Sequence, residues 1–137
     1  MSVEFFLDTN VLLYAATANV AERRKQDIAY ELIAADNFGI STQVLQEFYV
    51  NATRQTGAKM RPDKALAWLD ELAHVPCFVV NAEAFRQAIV TSLRFKINYW
   101  DAAILAAAEA LGATTLYSED LAHGQHYGPI RVVNPFL

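Results

Sequence analysis

The chain has 137 residues, 54% of them hydrophobic, and its 15 acids against 11 bases give a formal charge of −4. That length fits one domain, residues 1–137, able to bury roughly two-thirds of its unfolded surface, and the apolar content excludes disorder. No apolar run is long enough to span a membrane, and no basic segment precedes an apolar one at the N-terminus. The expectation is a soluble, cytoplasmic protein without a signal peptide or membrane contact. Cys77, the single cysteine, lies in an apolar run and predicts a buried thiol in a reducing compartment. The net charge argues against a nucleic-acid partner unless some acids are gathered in one place. With four acids set aside, acids and bases balance. The bases also cluster: Arg23-Arg24-Lys25; Arg54, Lys59, Arg61 and Lys64; and Arg86, Arg94 and Lys96. Each cluster reads equally as a solvated helix face.

Residues 3–7 are a short apolar run with β-branched and aromatic members, the pattern of a strand buried on both faces. It stops at Asp8-Thr9-Asn10, where helical spacing takes over to about residue 17. Residues 21–35 predict an amphipathic helix with Ile28, Ala29, Leu32 and Ile33 inward. A brief second strand at 38–40 meets Ser41-Thr42, which caps a helix running to about Gln55 with Gly57 as its stop. Pro62 opens a helix whose inner face is Leu66, Leu69 and Leu72. Residues 77–80 make a third strand, and 82–95 a helix packed through Phe85, Ile89 and Leu93. Asn98-Tyr99-Trp100-Asp101 leads into an Ala-rich helix over 102–111, suited to lying close on a sheet. Residues 114–117 and 130–133 are the fourth and fifth strands. Short strands alternating with helices predict an α/β fold, a three-layer α/β/α sandwich around a central parallel five-stranded sheet.

Asp8 follows the first strand, Asp120 the fourth, and Glu47 sits early in the helix after the second. Asp101 opens the helix that enters the fourth strand. In a parallel sheet these places face one edge, so four carboxylates can converge where open α/β sheets bind ligands. Each has a plainer reading. Asp8 or Asn10 caps a helix, Asn98 and Asp101 form a capping box, Asp120 caps a turn before Gly124, and Glu47 is an exposed helical residue. Yet Glu47 has mostly apolar neighbours, where an unpaired acid is expensive. Gathered carboxylates repel one another, and a divalent cation resolves that. All-oxygen ligation suits Mg²⁺, with Mn²⁺ as substitute, and no Cys/His set for zinc is present. A metal-held water would then be the nucleophile for a phosphodiester. His123 and His126 read as surface-loop residues.

Four segments now carry a resemblance: Phe6-Leu7-Asp8-Thr9-Asn10-Val11-Leu12, Ser41-Thr42-Gln43-Val44-Leu45-Gln46-Glu47-Phe48, Tyr99-Trp100-Asp101-Ala102-Ala103-Ile104 and Tyr117-Ser118-Glu119-Asp120-Leu121. In order and spacing the set resembles the acidic motifs of PIN-domain ribonucleases, and more narrowly the VapC-type toxins of toxin–antitoxin pairs. The resemblance implies a sheet with the first strand between the second and fourth. It implies Asp8, Glu47 and Asp101 as core metal ligands and Asp120 as a fourth, more variable one. Thr9, Asn10 and Ser118 match positions that support the site; Ser118 stands where Thr is commoner, which keeps the hydroxyl. It further implies an Mg²⁺-dependent endoribonuclease acting on RNA, a homodimer, and a cognate antitoxin protein.

Two rivals fail on named residues. A haloacid dehalogenase-like phosphatase wants a second Asp two residues after the first, where Asn10 stands, and a late Lys after a strand. A non-enzymatic receiver-like or RNA-binding module holding a structural ion wants an acidic pair after the first strand and an Asp after the third. Asp8 is alone, and Asn81 follows the third strand.

Overall fold

The computed structural model describes residues 3–57 and 59–137. Its centre is β1 (Phe5–Leu7), whose three side chains are all buried, as a parallel strand covered on both faces requires. β2 (Phe38–Ser41) pairs with it on one side, Phe5 opposite Phe38. On the other side lies β4 (Thr115–Tyr117), with Phe5 opposite Thr115. The first strand thus stands between the second and fourth, as expected. β3 (Cys77–Phe78) extends the sheet beyond β2, and β6 (Ile130–Val133) extends it beyond β4, both parallel.

The sheet has six strands, in the order β3-β2-β1-β4-β6-β5, where five were expected. The addition is β5 (His126–Tyr127), antiparallel to β6 with His126 opposite Arg131. A two-residue loop, Gly128-Pro129, closes this hairpin, and Gly128 takes the positive φ of 59° that such loops favour. Two residues are too short to show a period-2 pattern; only the Gly-Pro pair signals the turn.

The helices are α1 (Thr9–Thr17), α2 (Arg23–Ala34), α3 (Thr42–Ala52), α4 (Pro62–Leu72), α5 (Ala82–Phe95) and α6 (Tyr99–Ala110). α1 packs on α2 and α3, and α3 on α4; α6 lies against β2, β4 and β6, with α5 packed on it. The helix expected over 21–35 begins at Arg23, because Asn19 and Glu22 form a capping box that closes a separate 3-10 turn, Val20–Glu22. α3 ends at Ala52 rather than near Gln55. α6 starts at Tyr99, not 102, because Asn98 caps it through the Asp101 amide. Among the described residues no helix is long and apolar enough to cross a membrane.

Of the expected helix faces, that of α5 is wrong and that of α4 holds in part. On α5, Phe85, Ile89 and Leu93 are exposed, and Ala88 and Thr91 are buried instead. Small side chains let α5 approach the Ala-rich α6 closely, which turns the large apolar ones outward. On α4, Leu72 is buried and Leu69 packs half-buried against the core, as expected, but Leu66 is 53% exposed and Ala65 is buried instead. Cys77 is half-buried, with burial pushing its thiol pKa up.

Candidate active site

The parallel sheet sends the carboxyl ends of β1, β2 and β4 to one edge. α6 leads back into β4, so its N-terminus lies at that edge as well. Asp8 leaves β1 and is the N-cap of α1; its Oδ1 accepts from the Thr9 amide at 2.7 Å. Its Oδ2 accepts from the Ser118 hydroxyl at 2.7 Å, and the Ser118 Oγ in turn accepts from the Asp120 amide at 3.0 Å. One serine, itself fully buried, therefore ties the ends of β1 and β4 together.

Glu47, one turn and a half into α3, is drawn to the same place. Its Oε1 accepts from the Thr9 hydroxyl at 2.8 Å, and Gln43 Nε2 lies 3.5 Å from its Oε2. The same Gln43 nitrogen donates to the Trp100 carbonyl at 3.2 Å, linking α3 to the first turn of α6. Asp101 is held there by Asn98 Nδ2, 2.8 Å from its Oδ2. Both readings of these residues thus coexist: Asp8 is a cap, and Asn98 with Asp101 is a cap, yet each also borders the shared edge.

The electrostatics follow from burial and from like charge. Asp8 is 5% exposed, and desolvation pushes its pKa up to about 7, against the two hydrogen bonds that lower it; the nearby Asp120 and Glu47 raise it further. Asp120 is also raised, first by desolvation, then by the charges of Asp101, Glu119 and Glu47. Among the described residues, no basic side chain pairs with Asp8, Glu47, Asp101 or Asp120; the ion pairs there are Lys25–Glu119 and Arg61–Asp63. Nor, among those residues, is any group of three or more Asp, Glu, His or Cys already set to hold an ion. The donor chemistry nonetheless fits a hard cation. The oxygens are anionic, mutually repelling and without a cationic partner, and hydroxyls and amides fix their positions.

Several neighbours matter that the linear sequence did not mark. Glu119 is paired on both oxygens: its Oε2 meets Lys25 Nζ at 2.9 Å, and its Oε1 accepts from Tyr14 OH at 2.9 Å. Lys25 lies 94 residues earlier, so no local pattern announces the pair. This uses up part of the Arg23-Arg24-Lys25 cluster, since Arg24 also donates to the Phe136 carbonyl at 2.8 Å. Gln43 had a signal, standing one helical turn before Glu47. Asn10, expected as a supporting residue, follows Thr9, and among the described residues its buried Oδ1 has no partner. His123 Nδ1 accepts from the Asn134 amide, the loop role expected.

The profile of one family, the PIN domain, matches residues 5–127. No curated protein matches the chain by sequence. A toxin–antitoxin complex from Klebsiella pneumoniae contains a similar chain, with TM-score 0.71 and 17% identity over 96% of this chain and 98% of that one. VapC20 of Mycobacterium tuberculosis, a sarcin–ricin loop cleaving toxin, is similar at TM-score 0.68 and 22% identity, over 93% of this chain and 99% of its own. VapBC2 of Rickettsia felis, bound to a DNA fragment from its promoter, gives TM-score 0.63 and 19% identity over 95% and 97%. At these identities the likeness is one of fold.

Proposed function

The chain belongs to the PIN domain family, and from that premise we propose that it is a metal-dependent endoribonuclease and the toxin of a toxin–antitoxin pair. The observation that carries the chemistry is Asp8. It is a nearly buried carboxyl among other acids with no basic partner at hand among the described residues. Such an arrangement is costly in a purely structural role, because burial and like charge both disfavour ionisation.

In this reading Asp8, Glu47 and Asp101 hold the cation, with Asp120 contributing more weakly, and Thr9, Asn10 and Ser118 support them. A divalent ion there, Mg²⁺ or Mn²⁺, would supply an activated water and offset charge on the phosphodiester under attack. The protein's own part is positional. Ser118 aims Asp8 and braces the Asp120 amide, Thr9 fixes one Glu47 oxygen, and Asn98 fixes one Asp101 oxygen. Such outer partners orient the ligands of a metal ion. RNA as substrate draws support from the family and from the cleaving activity named for the M. tuberculosis neighbour.

An antitoxin partner draws support from the complexes among the structural neighbours. A homodimer draws support from α5, which leaves Phe85, Val90 and Leu93 at 49%, 56% and 75% exposure on one helix. The phosphatase alternative has no comparable support, since the residue two after Asp8 is Asn10, whose Oδ1 is buried rather than presented as an acid.

The test is incubation of total RNA with the protein in Mg²⁺, in EDTA, and with Asp101→Asn in its place. Cleavage is expected only for the native chain with Mg²⁺. Undiminished cleavage in EDTA, from a preparation free of contaminating nucleases, overturns the metal-dependent reading.

A further inference from the structure

We propose that the cleft between α3 and α6 is a nucleobase subsite, in which the indole of Trp100 stacks on an unstacked base of the bound strand. The inference rests on the ribonuclease reading and names a contact within it. The cleft has a volume of about 340 Å³ and is lined by Gln43, Gln46, Glu47, Val50, Asn51 and Trp100. That is the low end of small-ligand sites, room for one base rather than for a folded partner. It opens directly beside the carboxylates: Glu47 is part of its wall, and Trp100 precedes Asp101 in the chain.

Trp100 is 64% exposed, an unfavourable place for the largest apolar side chain. Its position is nonetheless defined. Gln43 holds its carbonyl at 3.2 Å, and Tyr99 meets the ring nearly edge-on, 5.0 Å away at 80°, backed by Phe85 at 5.5 Å. Among the described residues no aromatic ring stacks on the indole. Three other aromatics near the motifs are differently committed. Phe48 is fully buried, and Tyr14 is tied to Lys25 and Glu119. Trp68, the only other tryptophan, packs on Phe48 and Tyr30.

The remaining wall is amide-rich, the chemistry that reads base edges. Asn51 is already engaged, donating to the Glu47 carbonyl and accepting from Arg54. Gln46 lines the cleft, is exposed, and its side chain makes no hydrogen bond among the described residues, so its carboxamide is unspent. An aromatic platform beside a free carboxamide matches the way proteins take splayed-out bases of single-stranded RNA.

The experiment uses the full chain carrying Trp68→Phe, so that emission reports Trp100 alone; if that variant fails to fold, the difference between native and Trp100→Ala emission serves. A short single-stranded RNA is titrated in Ca²⁺, with a duplex of the same sequence as control. Saturable quenching by the single strand and little by the duplex is expected. In Mg²⁺, Trp100→Ala should raise KM about tenfold, within what one base stack contributes, with a smaller change in kcat; Trp100→Phe should recover most of it. Unchanged emission and unchanged KM on an RNA that the native chain cleaves overturn the subsite. Emission that follows protein concentration and not RNA assigns Trp100 to a protein interface and also overturns it. Quenching by single-stranded RNA with no cleavage of any RNA supports the subsite while sinking the ribonuclease reading.

Discussion

Asp8 holds two positions at once, the cap of α1 and the most buried member of the acidic edge, and the two pull its ionisation in opposite senses. Desolvation wins and lifts its pKa from 3.8 to about 7. A folded pKa above the unfolded one stabilises the protein below the unfolded value, and that contribution fades as pH rises through the folded one. For this site the metal-free protein should therefore be more stable near pH 4 than at pH 7.5, with the loss spread between about pH 4 and 7; melts across that window check it. Asp8→Asn keeps an acceptor for the Thr9 amide, and the Ser118 hydroxyl can turn to accept from the new amide. It should stabilise the metal-free form at pH 7.5 by on the order of 1 to 3 kcal/mol while removing most activity. Glu47→Gln and Asp101→Asn should also remove most activity, and Asp120→Asn somewhat less. Ser118→Ala and Thr9→Val should weaken metal binding roughly 10- to 100-fold, measurable by calorimetric titration, because the ligands they aim lose their bearings. Near-native rates in any of the first three acid variants would reassign the ligands. At this scale the address of the acids was legible, since Asp8 and Asp120 follow strand ends, Asp101 opens a helix and Glu47 lies in the second turn of the helix after β2. The Tyr14–Lys25–Glu119 cluster was not, because contacts across 94 and 105 residues leave no local pattern.

At the scale of elements, β1 and the caps on Ser41 and Asn98 were readable because burial on both faces and N-capping are local chemistry. Faces of helices were harder. On α5 the apolar spacing of Phe85, Ile89 and Leu93 is as periodic as a core stripe, and the sequence holds no sign that α6 wants small partners instead. The smaller stripe through Ala88 and Thr91 won because it allows closer helix approach. Ala88→Leu should therefore cost about 1 to 3 kcal/mol by overpacking, read as a lower urea midpoint with unchanged slope. Leu93→Gln should change monomer stability by no more than about 0.5 kcal/mol. If the exposed face joins two copies, the same substitution shifts the chain toward monomer in sedimentation at micromolar concentration. A strictly monomeric native chain would remove the dimer from the account.

For the whole molecule, the sheet and its helices gather acids from four parts of the chain onto one edge, and the rest of the fold holds them there without neutralising them. The strand order that does this was available only through family resemblance, since hydrophobic period fixes strands and not their neighbours. The sixth strand escaped because two residues carry no period. The central claim is that Asp8, Glu47, Asp101 and Asp120 act as one cation site, and thermal melts of the native chain and Asp8→Asn at pH 5 and 7.5, with and without Mg²⁺, test it most directly. At pH 7.5 the native chain should gain about 2.7 kcal/mol at a hundredfold excess of Mg²⁺ over its dissociation constant, a rise of several degrees in Tm. Asp8→Asn should melt higher than the native chain without metal and respond less to it. If Asp8→Asn melts lower without metal and Mg²⁺ shifts neither protein, Asp8 is only a helix cap and the four acids are not one site.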